Sequence, residues 1–480
     1  MKFPPLLPVV AAACVCMLGC GMGGGSGHPG HVNPDFVLSL SSAQSWSGGA
    51  SGSEVYTIQV RFVGGFSGTV ALAVTGLPNG ITGTLSALSI SASGTSTLTL
   101  TGAEPAIGSY PFTISGTSGS LAHTVDTSLF VPGPVATNVL IPPGALDGSD
   151  GPKITNYLEN NPTVTGGTFQ VEWSAIDNGS SYNWSYSDNL YSAWATLGKK
   201  VNFIFWANAD SSSSDCTDGQ FGDPTAGNCA VPMYVWQALG SKNYTVCTPS
   251  NADGPQRIPN YFNSAFQDNY KSFIKAMLAH YGNGNYPKLG YIRIGLGRGG
   301  ETIPVGDWDS GDACSEAFAS WGLNDNTITT TWEPYLQSML NVEAQNNPGN
   351  VQLMVGITPM TGGGVPQFVA NTAVPLKIGF GSQGLQESDV NNCAGATADW
   401  CDLFNTYTGK VPLELQTVAQ SCPDNSCVTG SLANLLPFAV FNKVTILEIY
   451  YQDWLVAYDP NYPGYTQSYQ AVLESANTGQ

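Results

Sequence analysis

Glutamates are the side chains of this sequence best placed for acid–base chemistry. Glu301 ends the glycine-rich stretch LGRGGE at 296–301, directly after an apolar run, and Glu414 and Glu448 lie within later apolar runs. The chain has four histidines, three of which precede residue 135: His28, His31 and His123. A histidine-based triad or metal site is therefore hard to build, and the sequence predicts no metal and no cofactor. Two carboxyl groups, one protonated and one ionised, suit cleavage of a glycosidic bond.

Strand-like and helix-like runs alternate from residue 135 to the end of the chain. Eight β-like runs occur at 138–141, 168–173, 201–207, 289–296, 351–357, 376–380, 411–416 and 444–450. Helices are predicted at 184–197, 265–280, 332–346, 398–407 and 432–441. Eight β/α units indicate an α/β fold, a (β/α)8 TIM barrel. We therefore expect residues 135–480 to form the barrel and to be the catalytic domain.

Alternation within the runs predicts which side chains face the interior of the barrel. In the fourth run Ile292 and Ile294 share one face, and Tyr291 and Arg293 share the other. Because the apolar face packs on the helices, the polar face points inward. The same reasoning predicts that polar side chains of later runs face inward, namely Glu414, Gln416 and Glu448, with Tyr450 beside them. Such residues near strand ends can form an active site, or a packed polar network that fills the barrel.

This arrangement resembles the retaining glycoside hydrolases of clan A, whose barrels carry one catalytic glutamate after strand four and another on strand seven. The stretch FQVEWSAIDNG at 169–179, with YNWS at 182–185 and GKKV at 198–201, is similar to an early stretch of their β-galactosidase-like and cellulase-like members. The resemblance implies that Glu301 is the acid/base and Glu414 the nucleophile, with Glu448 as the alternative nucleophile. It departs at Gly300, where many of these enzymes have Asn. The implied activity is hydrolysis of a β-linked poly- or oligosaccharide with retention.

Aromatic side chains at or after strand ends are candidates for stacking on the apolar faces of sugar rings. The predicted substrate-binding residues are Trp206, Arg293, Trp308, Gln416, Tyr450 and Trp454. Arg293 either holds a catalytic carboxylate ionised or neutralises Glu172. The alternative function is that of a non-catalytic surface protein, which binds glycan or mediates adhesion through the same aromatic-lined end of the barrel. The glycine at position 300 keeps that alternative open.

The amino terminus has the features of an export signal. A lysine, an apolar run and a small-residue site occupy residues 1–20. The stretch Met17-Leu18-Gly19-Cys20 resembles the lipobox of bacterial lipoproteins, which implies lipid attachment to Cys20 and a location on the outer cell surface or the periplasmic face of a bacterial membrane. Residues 21–34 are rich in glycine and predict a flexible tether.

Residues 35–133 predict an all-β sandwich. Short alternating runs such as VYTIQV at 55–60 and TVALAV at 69–74 recur between glycine, proline and asparagine. These phrases resemble the bacterial Ig-like modules found in exported enzymes and adhesins. We therefore expect a multidomain chain, with an Ig-like spacer in front of the barrel.

Charge and cysteine content indicate the partners and the compartment. The formal net charge is −19, yet only 10% of residues are charged, compared with roughly 25% in an ordinary soluble protein. A surface with so few basic residues excludes nucleic acid as a partner and fits a neutral carbohydrate, and we expect a monomer. Eight cysteines follow residue 215, an even number that predicts disulfides. Neighbour pairing would join 216 with 229, 247 with 314, 393 with 401 and 422 with 427, although other pairings stay open.

Overall fold

The computed structural model describes residues 33–40, 53–103, 108–131, 135–142, 155–208, 230–248, 256–305, 308, 314–360, 364–392 and 399–478. The predicted signal peptide with Cys20 and most of the predicted tether lie outside the described residues. Within the described ranges, no helix has the length and apolar character that crossing a membrane requires.

Antiparallel strands form two four-stranded sheets in the amino-terminal part of the chain. The strands are β1 (Asp35–Leu40), β2 (Ser53–Val63), β3 (Val70–Thr75), β4 (Ile81–Leu85), β5 (Ser89–Ile90), β6 (Gly94–Gly102), β7 (Gly108–Ser118) and β8 (Leu121–Val131). They are arranged in the orders β1-β2-β6-β4 and β5-β3-β7-β8. Alternate side chains of both sheets, among them Tyr56, Ile58 and Ile114, form one buried cluster. This confirms the predicted β-sandwich.

Eight parallel strands close into a barrel in the rest of the chain. They are β9 (Ala136–Ile141), β10 (Gly166–Glu172), β11 (Lys200–Trp206), β14 (Leu289–Ile294), β15 (Leu353–Gly356), β16 (Gly379–Leu385), β17 (Leu413–Thr417) and β18 (Ile446–Tyr450). The last strand pairs with β9 and completes the ring. The strands β12 (Tyr244–Cys247) and β13 (Gln256–Pro259) form a separate hairpin between β11 and β14. The predicted (β/α)8 architecture is confirmed.

Twelve α-helices occur among the described residues, most of them between the barrel strands. They are α1 (Trp173–Ile176), α2 (Ser185–Thr196), α3 (Met233–Leu239), α4 (Ser264–Tyr281), α5 (Ser315–Ser320), α6 (Glu333–Asn346), α7 (Val365–Ala373), α8 (Glu387–Asn392), α9 (Asp399–Tyr407), α10 (Leu432–Phe441), α11 (Tyr451–Tyr458) and α12 (Gln467–Thr478). The longest, α4, begins after Asn263, whose side chain accepts from the backbone N–H of Ala265. Such a cap satisfies a backbone donor that has no partner within the helix.

The two faces of the barrel strands pack in different environments. Phe203 and Ile292 belong to the large apolar cluster that joins the strands to the helices. Leu140, Ile204 and Trp206 form a small separate cluster on the opposite face of the strands. Because successive side chains of a strand point to opposite faces, the second cluster and the polar side chains in line with it fill the interior.

The sixth barrel strand differs from the prediction. The sequence places it at 376–380, whereas β16 begins at Gly379 and continues to Leu385. Residues 374–376 instead form a 3-10 turn, and Lys377 has a left-handed backbone with φ of 64°. The strand therefore extends through Gly384 and carries Gln383, which the prediction left outside it.

Two disulfides match predicted pairs. Cys247 is bonded to Cys314 and Cys422 to Cys427, with Cα–Cα distances of 5.4 and 6.0 Å. Cys401 is also disulfide-bonded, while Cys216, Cys229 and Cys393 lie outside the described residues. The first disulfide connects the end of β12 with the chain that follows β14, so it joins two excursions at the carboxyl ends of barrel strands.

Glu343 is a fully buried carboxyl group on α6, away from the barrel interior. Neither of its oxygens has a hydrogen-bond partner among the described residues. Burial raises its pKa well above the ordinary value. Because the folded-state pKa lies above the unfolded pKa of about 4.3, the group costs least stability below that value, and the cost grows as the pH rises toward the folded-state pKa.

We therefore expect Glu343→Gln to gain stability relative to the wild type between pH 4 and pH 8. The amide does not titrate, so the variant avoids the rising cost of a buried carboxyl group. Urea unfolding at both pH values measures the difference. Glu474→Gln, which changes an exposed glutamate on α12, is the control and should show no such trend. A Glu343→Gln difference that is equal at both pH values contradicts the prediction.

Candidate functional site

Arg293 is the fifth of the six residues of β14 and pairs with Glu414 of β17 inside the barrel. Its Nη1 donates to both carboxylate oxygens, at 2.8 and 2.6 Å, and its Nη2 donates to Gln416 Oε1 at 2.9 Å. Arg293 and Glu414 are 0% exposed, and Gln416 is 4% exposed. Charge-assisted hydrogen bonds of this kind are stronger than neutral ones. The pair therefore fixes β14 against β17 across the interior.

Glu448 of β18 joins the same network from another wall. Its Oε1 accepts from Thr168 Oγ1 at 2.7 Å and from the Tyr291 hydroxyl, and its Oε2 lies 3.9 Å from Arg293 Nη2. Asn202 supports both donors, because its Nδ2 donates to Thr168 Oγ1 at 3.0 Å and its Oδ1 accepts from the Tyr291 backbone N–H. Polar side chains from five strands, β10, β11, β14, β17 and β18, are thus connected in one buried set.

Two carboxyl groups share one guanidinium in this set. Burial raises the pKa of Glu414 to about 8; Arg293 opposes this shift, and the neighbouring Glu448 carboxyl adds to it. Burial and the same carboxyl group raise the pKa of Tyr291. Burial and the Glu448 carboxyl thus disfavour the ionised form of Glu414, whereas the adjacent guanidinium favours it.

The predicted nucleophiles do not lie in an open cleft. Glu414 and Glu448 are both 0% exposed, and a Cβ atom on Gly381 would lie only 2.5 Å from Glu414 Oε2. Glu414 is the second residue of its strand, far from the carboxyl end where barrel enzymes bind substrate. The surroundings of these two glutamates therefore give no support to a nucleophilic role and fit the alternative of a packed polar network.

The chain folds back over the interior immediately after β14. The backbone N–H groups of Leu296 and Gly297 both donate to the carbonyl oxygen of Glu301 at 3.0 Å. Glycines make this close packing possible, because a Cβ on Gly295 would lie 2.0 Å from the carbonyl oxygen of Gly299. We call the carboxyl end of the strands the barrel mouth. The glycine-rich stretch is therefore a tight backbone turn at the barrel mouth.

Gly300 lies directly over the inner apolar cluster. A Cβ atom at this position would be 2.5 Å from Ile204 Cγ2 and 3.3 Å from the Gln383 amide. An asparagine side chain at this position therefore does not fit without movement of its neighbours. Glycine fits at position 300 because the turn approaches the interior so closely that a side chain would clash.

Gly300→Ala is expected to destabilise the protein by about 1 to 3 kcal/mol, the usual cost of overpacking. The added methyl group must displace Ile204 or the turn itself. The free energy of unfolding in urea measures the loss. Gly384→Ala is the matched control, because a Cβ there meets no atom within 4 Å. Equal stabilities of the two variants would show that the turn is loosely packed.

Glu301 is held at the mouth and is partly exposed. A Cβ atom on Gly356 of β15 would lie 3.5 Å from Glu301 Cα, so the two backbones are in contact. The Gln383 amide, with its nitrogen turned toward Glu301, donates to Oε1 at 3.1 Å and accepts from Arg293 Nη2. Gln383 therefore links the carboxylate at the mouth to the ion pair below it, a contact that the sequence analysis missed.

Glu172 is a second carboxyl group at the mouth. It is the last residue of β10, on the inward face that also carries Thr168, and it is 5% exposed. Its Oε1 has no hydrogen-bond partner among the described residues, and burial raises its pKa to about 7. The sequence analysis considered it only as a partner of Arg293, but that guanidinium contacts Glu414 instead.

The predicted aromatic residues separate into two groups. Trp206 and Tyr450 belong to the inner cluster near the mouth, and Trp206 is 6% exposed. Trp308 and Trp454 belong to the outer core instead. Trp308 donates to Asp325 Oδ1 at 3.0 Å beside a cavity of about 280 Å³, whereas Trp454 is fully buried and stacks on Tyr458. Only the first group lies beside the candidate site.

The described residues contain no group of three or more His, Cys, Asp or Glu side chains that could hold a metal ion. The structure thus brings together seven of the residues considered above: Glu301, Gln383, Arg293, Glu414, Gln416, Glu448 and Tyr291. They form a carboxylate at the mouth with a buried ionic network beneath it.

No protein-family model and no curated protein matches the chain. Among solved structures, a FixG-related protein from Vibrio parahaemolyticus is similar over 21% of this chain and 98% of its own, with 16% sequence identity and a TM-score of 0.17. A likeness of this size carries no argument about function. The functional inference therefore depends on the site itself.

Proposed function

We propose that the chain is an exported glycoside hydrolase whose active site is the barrel mouth around Glu301. The observation that carries this proposal is the position of Glu301, a partly exposed carboxylate after the fourth barrel strand, held by Gln383. Barrel enzymes perform their chemistry at this end of the strands. A carboxylate there can take a proton from water or bond to an anomeric carbon.

Three neighbours give the site its proposed specificity for sugar. Tyr450 is partly exposed and offers an apolar face on which the CH groups of a sugar ring can stack, and Trp206, which is 6% exposed, packs with it in the inner cluster. Gln383 offers an amide for hydroxyl groups, and its orientation is fixed from below by Arg293. The low content of basic residues favours a neutral glycan over a nucleic acid.

The buried glutamates have a supporting role in this proposal. The retaining mechanism implied by the resemblance needs Glu414 or Glu448 to reach the substrate, and both are fully buried. We propose instead that they and Arg293 position Gln383 and, through it, Glu301. The anomer of the first product, identified by proton NMR, therefore distinguishes retention from inversion.

The remaining sequence predictions complete the proposal. A lipid on Cys20 would anchor a monomeric protein to a bacterial membrane, with the sandwich as a spacer. The even number of cysteines after residue 215 and the disulfides of the barrel fit an oxidising compartment.

A second candidate is a surface protein that binds glycan without cleaving it. The burial of Glu414 and Glu448 favours this function, because the arrangement that the clan A resemblance implies is not exposed to substrate. The same mouth would then bind sugar through Tyr450 and Gln383, which are partly exposed.

A panel of β-linked polysaccharides and oligosaccharides separates the two functions. Purified mature protein is tested for binding by calorimetry and for hydrolysis by the appearance of new reducing ends. We expect both signals for at least one glycan. Binding without new reducing ends supports the second candidate, and the absence of both signals rejects a carbohydrate function. Sandwich protein alone, residues 35–131, is the control for glycan bound outside the barrel.

A further inference from the structure

Glu172 is a carboxyl group at the barrel mouth that the proposed site has not used. Its Oε1 is buried without a hydrogen-bond partner among the described residues, and the whole residue is 5% exposed. Burying such a group costs folding free energy, and most buried polar atoms in folded proteins have a hydrogen-bond partner. The unpartnered oxygen of Glu172 therefore requires an explanation. Its position at the carboxyl end of β10 suggests function, because that end of the barrel carries the chemistry.

The surroundings of Glu172 favour its protonated form. Its register partner on β11 is Trp206, and burial is the only cause of its shifted pKa, with no contribution from a charged side chain. A pKa of about 7 leaves a large protonated fraction at neutral pH, which is what a general acid needs. An apolar, aromatic environment is a known way to raise the pKa of a carboxyl group.

Glu172 and Glu301 reach the mouth from different walls. In the closed sheet β10, β11, β14 and β15 follow one another, and Glu301 packs against Gly356 of β15. The two carboxyl groups are therefore supported by strands three places apart in a ring of eight. The interior of an eight-stranded barrel is just wide enough for side chains to fill. A sugar bound above this filled interior, at the carboxyl ends of the strands, would have one carboxyl group on each side.

We propose that Glu172 is the catalytic acid of this site, which gives its proton to the leaving oxygen while Glu301 takes a proton from the attacking water. This proposal rests on the proposed hydrolase function. The bond between the anomeric carbon and the leaving oxygen breaks, its electron pair stays on that oxygen, and the Glu172 proton neutralises it. Water supplies the new oxygen on the anomeric carbon, and the proton gained by Glu301 returns to Glu172 through solvent.

Aryl glycosides of the sugar found in the panel provide the test. A phenol leaving group needs a proton, whereas 2,4-dinitrophenolate leaves without one. We expect Glu172→Gln to lower kcat/KM at least about 100-fold for the phenyl glycoside and less than about 10-fold for the dinitrophenyl glycoside. Glu159→Gln, a partly buried glutamate whose pKa burial also raises but which lies outside the barrel strands, should leave both rates unchanged.

The outcomes distinguish this assignment from the proposed function. Hydrolysis by the wild type, with equal losses on both substrates in Glu172→Gln, overturns the acid role alone. The absence of wild-type hydrolysis overturns both proposals. Glu172→Asp keeps a carboxyl group and should retain more phenyl glycoside turnover than Glu172→Gln. This second variant decides the question if the amide prevents folding. A Glu172→Asp variant that matches the wild type on the dinitrophenyl substrate but is slower on the phenyl substrate supports the acid role.

Discussion

Arg293→Met is expected to lower the free energy of unfolding by about 3 to 5 kcal/mol at pH 7, the usual cost of removing one partner from a buried ion pair. Methionine fills much of the volume but leaves two glutamates without their cation. Glu414 loses two hydrogen bonds and Gln416 loses one. Urea unfolding followed by tryptophan fluorescence measures the change.

Removing the carboxyl partner as well should reduce this penalty. The double variant Arg293→Met with Glu414→Leu should be more stable than Arg293→Met alone, since it removes a buried carboxyl group that has lost its two hydrogen bonds. Arg61→Met, at an exposed arginine of the sandwich, is the control. A deficit below about 1 kcal/mol, typical of exposed ion pairs, would show that the interior is hydrated.

Glu301→Gln is expected to lower kcat at least about 100-fold on the best glycan of the panel while the protein stays folded. The amide keeps the shape and the contact with Gln383 but can neither accept a proton from water nor bond to an anomeric carbon. Initial rates of reducing-end formation measure the loss, and Glu474→Gln is the control for an exposed glutamate. Turnover equal to that of the wild type would remove Glu301 from the mechanism.

The barrel was predictable because one face of each strand is apolar and the other is polar. The fourth run shows this clearly, since Ile292 and Ile294 pack on helices while Arg293 lies inside. Alternation in sequence contains this information because successive side chains of a strand point in opposite directions.

Depth within the barrel was not predictable in the same way. Glu414 and Glu172 both face inward, but one is the second residue of its strand and the other is the last. Alternation gives the face of a side chain and not its height, which depends on strand tilt and register. The sequence therefore favoured the deeper glutamate as a catalytic residue and gave little weight to the one at the mouth.

Gln383 was missed for a different reason. The segment from Gly379 to Leu385 contains three glycines and little apolar alternation, so its strand character depends on pairing with neighbours. The closed ring supplies those neighbours. The partner of Glu301 thus becomes visible only when the whole sheet is assembled.

The contact between Gly300 and Ile204 has a consequence for how this site can change by mutation. An asparagine before Glu301 cannot be introduced in one step at little cost, because its Cβ would meet Ile204 at 2.5 Å. A smaller residue at 204 must come first and by itself leaves a cavity, which costs stability. Two substitutions that are each unfavourable alone thus separate this turn from an asparagine–glutamate pair, and directed evolution toward that pair should begin at position 204.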